Sequence, residues 1–148
     1  MIIIINGPNL NLLGRREPGI YGTTSFEEYL PGLRTMCRNL GPCDILYLQS
    51  NSEGEIIDAI QRYGFEQTTA GIIINPGAYA HYSIAIADAV SAVPAPVVEV
   101  HISNVFAREE FRHKSVVAPR CVGSLCGFGL EGYAMAARFL IERLKSNA

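Results

Sequence analysis

The sequence predicts an α/β fold: a three-layer sandwich around a five-stranded parallel sheet of order 2-1-3-4-5. Three observations carry this reading. Short apolar runs rich in Ile and Val alternate with helix-like segments along the whole chain. The runs end in clusters of Asn, Gly, Ser, Glu and His. No repeat, low-complexity stretch or linker interrupts the 148 residues, so residues 1–148 are read as one domain. Regular β-α alternation in a chain this short implies parallel strands with helices on both faces. Right-handed crossovers then leave few topologies.

The first strand is Ile2–Ile5, running into Asn6-Gly7-Pro8-Asn9-Leu10-Asn11. A long glycine-rich loop follows, Gly14 to Gly22, and loops of that kind are often lids. Ser25 with Glu28 forms a capping box that opens a helix to about Asn39, and Pro31 is expected to perturb its second turn. Ile45–Leu48 is the second strand, ending in Gln49-Ser50-Asn51-Ser52-Glu53. Ser52 with Glu55 caps a helix to about Tyr63. Gly71–Ile74 is the third strand, ending in Asn75-Pro76-Gly77-Ala78-Tyr79-Ala80-His81. Ser83 to Ala92 form a helix, Val97–Val100 the fourth strand and roughly Cys121–Leu125 the fifth. Gly129 to Lys145 form the last helix, with Arg143 and Lys145 well placed at its negative end. This is a flavodoxin-like order. Its switch point lies between the first and third strands, where the Asn9 and Asn75 loops meet.

Composition excludes several classes. A net charge of −2 gives no electrostatic case for nucleic acid or an anionic membrane. No apolar run approaches the ~20 residues of a membrane helix. The opening Met-Ile-Ile-Ile-Ile-Asn has no basic region and no small-residue cleavage site, so it is a strand rather than a signal peptide. Cys37, Cys43, Cys121 and Cys126 lack CxxC spacing and are read as reduced core thiols of a cytoplasmic protein.

The segment Glu99-Val100-His101-Ile102-Ser103-Asn104 carries the most chemistry. Strand side chains alternate, so Glu99 points to the same side as His101. A carboxylate beside an imidazole fixes its tautomer and keeps it protonatable. A turn of backbone amides and a hydroxyl follows, suited to an anion. In the glycine-rich loop, Tyr21 has two arginines nearby. A phenol has a reference pKa near ~10, and a guanidinium favours its ionised form. Packing anchor and assisted base are equally compatible with these residues alone. Arg108 and Arg112, four apart, share a face, either as a solvated edge or as a substrate clamp.

Other chemistries lack their signatures. GxGxxG, GxxxxGK[ST] and GxSxG are absent. The three histidines, His81, His101 and His113, show no close ligand spacing, so no metal is expected. Neither Lys114 nor Lys145 sits on an apolar strand where an imine could form.

Taken together, Asn6–Asn11, Gly14-Arg15-Arg16-Glu17-Pro18 to Tyr21-Gly22, Gln49-Ser50-Asn51, Asn75-Pro76-Gly77-Ala78 and Glu99–Asn104 through Arg112 resemble type II 3-dehydroquinate dehydratase. The match spans nearly the whole chain in order, and Gly127-Phe128-Gly129 with Gly132-Tyr133 also fit. The resemblance implies loss of water from 3-dehydroquinate through an enolate, without a cofactor, in shikimate biosynthesis or quinate degradation. It implies a homododecamer, a tetramer of trimers. By position, Tyr21 resembles the base at C2 and Arg16 the lid arginine that assists it. His101 resembles the acid for the C1 hydroxyl, with Glu99 orienting it. Asn9 resembles the residue holding a water at the enolate oxygen. Asn75, His81 and Arg112 resemble binders of the substrate's hydroxyl and carbonyl side. Ile102 and Ser103 resemble the carboxylate site, and Asp88 a residue that reaches a neighbouring subunit. Ala80, Tyr82 and Ala87 depart from the usual Thr, Thr and Arg, and Arg120 with the last two cysteines is also unusual. A different class, a non-catalytic flavodoxin-like module for a small anion or nucleotide, would be told apart by adding 3-dehydroquinate and watching for a conjugated enone.

Overall fold

A computed structural model describes residues 1–146 of the chain. Five short runs pair in parallel in the order β2-β1-β3-β4-β5. They are β1 (Ile2–Asn6), β2 (Ile45–Gln49), β3 (Gly71–Asn75), β4 (Val97–His101) and β5 (Gly123–Cys126). β1, β3 and β4 are buried along their whole length, as a sheet covered on both faces requires. The period of two divides their side chains. Ile2 and Ile4 pack with Phe26, Leu33, Tyr133 and Leu140, whereas Ile3 and Ile5 pack with Ile56, Ile60, Ile86 and Val90.

The helices are α1 (Pro18–Tyr21), α2 (Phe26–Leu40), α3 (Glu53–Gly64), α4 (Ile84–Ala92) and α5 (Glu131–Ser146). α2 opens with both bonds of the capping box: Glu28 N donates to Ser25 Oγ at 3.2 Å, and Ser25 N to Glu28 Oε2 at 2.8 Å. Pro31 stands inside this helix without ending it. It lies on the exposed face, so water can satisfy the Glu27 carbonyl that loses its helical partner. Ser52 and Ser83 cap α3 and α4 through Glu55 N and Ile86 N. No helix among the described residues is long and apolar enough to cross a membrane.

Four strands run one residue further than their apolar pattern, taking in Asn6, Gln49, Asn75 and His101. A ladder is made by backbone groups, so a polar side chain does not end it. β5 starts two residues later than expected. Cys121 N closes the preceding 3-10 turn on Ala118 O at 3.0 Å instead of entering the ladder. α5 starts at Glu131 rather than Gly129 because Gly129 has φ 58, outside the helical region.

The extra polar residues sit level with one another. Asn6 is in register with Gln49 on one side and Asn75 on the other. Gly7 follows Asn6, and its N donates to Asn75 O at 2.7 Å. A Cβ on Gly7 would lie 2.7 Å from Pro76 O, so only glycine lets the loops after β1 and β3 touch. Beneath them, Tyr133 of α5 is fully buried. Its hydroxyl donates to Asn6 Oδ1 at 2.8 Å and accepts from Asn75 Nδ2 at 2.9 Å. Burial, above all, holds this phenol protonated far above its ordinary range.

Tyr133→Phe keeps the ring but strands Asn6 Oδ1 and Asn75 Nδ2 in the core. The expected loss is about 1–3 kcal/mol of unfolding free energy, measured by denaturant titration with an unchanged slope.

Candidate active site

The loops after β1, β3 and β4 enclose a small cleft of about 130 Å³. Asn9, Arg16, Tyr21, Asn75, His81, His101, Ile102, Ser103 and Arg112 all line it, as does Arg108. Nine of the eleven residues that sequence and resemblance single out therefore meet at one switch point. Glu99 stands behind the wall, and Asp88 stands apart.

The loop after β2 has a different place from the other three. Gln49, Ser50 and Asn51 do not line the cleft. Asn51 Oδ1 accepts from Asn9 N at 3.0 Å and from Gln49 Nε2 at 3.1 Å, while Gln49 Nε2 also donates to Gly7 O at 3.2 Å. This loop therefore braces Asn9, which holds a left-handed conformation at φ 68. Asn is one of the few residues that tolerates this.

The glycine-rich segment is folded over the cleft. Glu17, with φ 40, leads into the single turn α1, and Tyr21 ends it. The Arg16 guanidinium lies 5.0 Å above the Tyr21 ring and pairs with Glu17 at 3.0 Å. The Tyr21 hydroxyl has another partner: Arg108 Nη1 donates to it at 2.8 Å and to Ser103 Oγ at 3.3 Å. The Arg108 side chain is 14% exposed against 32% for Arg16, so its contact is the less screened of the two. His113 Nε2 bonds the Arg108 carbonyl at 3.1 Å, and Glu109 holds Arg112 Nε at 2.8 Å. The Glu109 carboxyl is kept below the usual range by its own backbone amide and by Arg112.

On β4, Glu99 is 1% exposed and His101 9%. Glu99 Oε1 meets His101 Nε2 at 2.6 Å, leaving Nδ1 as the ring nitrogen without a hydrogen bond among the described residues. The ring of His81 stacks at 6.3 Å, and His81 Nδ1 donates to Lys114 O at 2.7 Å. Among the described residues no three His, Cys, Asp or Glu side chains converge as a metal site would need. Burial pushes the Cys37 thiol up to about 11, and burial with the Glu99 charge pushes Cys121 up to about 12, which disfavours the thiolate at both.

Asp88 is exposed on α4, beside Ile84 at 67% exposure and Ala85. The departures from the family pattern lie nearby. Ala80 and Ala87 are buried, and Tyr82 is exposed against Tyr79. Sequence reasoning set Arg108 beside Arg112 as a clamp but had no signal linking it to Tyr21, 87 residues away. It also passed over Ser115 and the buried side of Tyr133.

A family model described as Dehydroquinase class II matches residues 1–141. The 3-dehydroquinate dehydratase of Caldicellulosiruptor bescii is 56% identical over 143 residues, covering 97% of each chain. The crystal structure of type II dehydroquinase from Propionibacterium acnes superposes with a TM-score of 0.89 at 46% identity, covering 95% of each chain. That from Butyrivibrio crossotus also gives 0.89, at 51% identity, covering 94% of this chain and 95% of the other. With the same sheet order and near-complete coverage at such identities, this chain belongs to the class II dehydroquinase family.

Proposed function

We propose that the chain dehydrates 3-dehydroquinate to 3-dehydroshikimate, in shikimate biosynthesis or quinate degradation, using its own side chains and no cofactor. The observation that carries this reading is the pairing within one cleft of an arginine-held phenol, Tyr21, with a carboxylate-backed imidazole, His101. The family and its named relatives supply the substrate.

The substrate has a ketone at C3, an acidic C–H at C2 and a hydroxyl with a carboxylate at C1. A proton beside a ketone leaves only if the developing oxyanion is met by placed donors. Hydroxide is a poor leaving group and needs an acid. Tyr21, as the phenolate, takes the C2 proton, and the C–H pair becomes the enolate. Arg108 favours the anionic phenol oxygen by direct contact, and Arg16 adds charge over the ring. Asn9 meets the enolate oxygen through a water. The enolate then collapses, the C1–O bond breaks, and His101 Nδ1 supplies the proton that makes the departing group water. Glu99 holds the other ring nitrogen throughout. Ile102 and Ser103 take the carboxylate, while Asn75, His81 and Arg112 hold the ring's remaining oxygens. Arg108 touches both Tyr21 and Ser103, so base and carboxylate anchor share one guanidinium.

The test is direct. Wild-type protein mixed with 3-dehydroquinate should generate a conjugated enone seen in the near ultraviolet, and no enone would remove the reading. Tyr21→Phe and His101→Ala should each lower kcat by at least about a thousandfold, a barrier increase of about 4 kcal/mol. Arg108→Lys, which replaces the fixed planar donor whose Nη1 reaches both Tyr21 and Ser103 with a flexible ammonium, should cost about ten- to a hundredfold. Tyr21→Phe within tenfold of wild type would remove the phenol from the base role.

We further propose that the whole chain acts as one domain and assembles as a homododecamer of trimers, with Asp88 reaching the neighbouring subunit's site. α4 supports this, since it carries exposed Ile84 and Ala85 around one carboxylate and presents no ordinary polar face. Light scattering should report a mass well above 16.1 kDa. Asp88→Ala should lower turnover in an intact oligomer, and a fully active monomer would count against it.

A further inference from the structure

Glu99 has two oxygens, and the imidazole accounts for only one. The other, Oε2, accepts from the Ser115 hydroxyl at 2.9 Å. Ser115 Oγ itself accepts from Val117 N at 3.2 Å and Ala118 N at 2.9 Å. A serine hydroxyl has one proton and two lone pairs. Both lone pairs are occupied by backbone amides, so the proton has one place to go. Ser115 can donate to Glu99 and cannot accept from it. Oε2 is therefore a fixed acceptor, and any proton shared by Glu99 lies on Oε1, facing His101. The preceding residue serves the other imidazole: the Lys114 carbonyl holds His81, whose ring stacks on His101. Two adjacent residues thus hold both histidines of the cleft.

We propose that Ser115 is a positioning residue for the acid step, holding the Glu99 carboxylate so that Glu99 in turn holds one tautomer and one orientation of His101. This rests on the dehydratase reading above. Ser115 does not line the cleft. Its effect should therefore fall on kcat rather than KM, and it should vanish when Glu99 can no longer act.

Steady-state kinetics on 3-dehydroquinate separates this from a purely structural role, using the assembled protein throughout. Ser115→Thr keeps both the hydroxyl proton and the acceptor, and kcat should stay within twofold of wild type. Ser115→Asp keeps the acceptor for the two amides but sets a second carboxylate against Glu99 in place of a neutral donor. Ser115→Ala has neither. Both should lose at least tenfold in kcat with KM within threefold. In a Glu99→Gln background, adding Ser115→Ala should change kcat by less than twofold. The proton spectrum supplies a readout without turnover: a downfield His101 Nε2 proton in wild type and Ser115→Thr, absent in Ser115→Asp. Wild-type turnover by Ser115→Ala would leave the hydroxyl no part in the acid step and overturn the proposal. So would an undiminished cost of Ser115→Ala in the Glu99→Gln background. If wild type itself makes no enone, the dehydratase reading fails instead, and the His101 proton still decides the role of Ser115.

Discussion

The buried hydroxyl of Tyr133 is the point on which the upper end of the sheet depends. It joins β1, β3 and α5 through Asn6 and Asn75, in a place water does not reach. The Tyr133 hydroxyl offsets much of the cost of burying these polar side chains by pairing with Asn6 Oδ1 and Asn75 Nδ2, while Asn6 Nδ2 has no hydrogen-bond partner among the described residues. Asn75 Oδ1 then accepts from Gly77 N at 3.2 Å, which sets the first turn of the loop that continues to His81. The position of the cleft floor therefore follows from the core and not from the loops alone.

Above that floor, the site is held by partners spaced far apart in sequence. Asn51 braces Asn9, Arg108 ties Tyr21 to Ser103, and Ser115 backs Glu99. In each of these three cases the partner comes from another segment of the chain. That arrangement suits a reaction with two proton transfers at adjacent carbons. Base and acid must stay apart by a set distance, and preorganised groups need no rearrangement as charge develops.

Most of the fold was legible because its cause is periodic. Five apolar runs alternate with capped helical segments, and Ser25 and Ser52 each cap as their spacing implies. The misjudged boundaries turn on backbone groups that hydrophobic periodicity does not report: Gly129 takes a positive φ in the turn between β5 and α5, and Cys121 N closes a turn on Ala118 O instead of entering the ladder. The residues of the cleft were legible because polar clusters end apolar strands. Their pairing was not. Nothing local in the sequence shows that Arg108 rather than Arg16 reaches the phenol oxygen, or that Ser115 stands behind Glu99. Both depend on how chain segments cross in space.

The contact between Gly7 and Pro76 bears on how such a site can change over time. The two loops approach so closely that no side chain fits between them. Neither can lengthen, shorten or swap its first residue unless the other shifts with it. Diversification of the cleft is therefore steered toward the glycine-rich flap and the stretch after β4. Attempts to graft new specificities onto this scaffold would have to transplant the β1 and β3 loops as a matched pair.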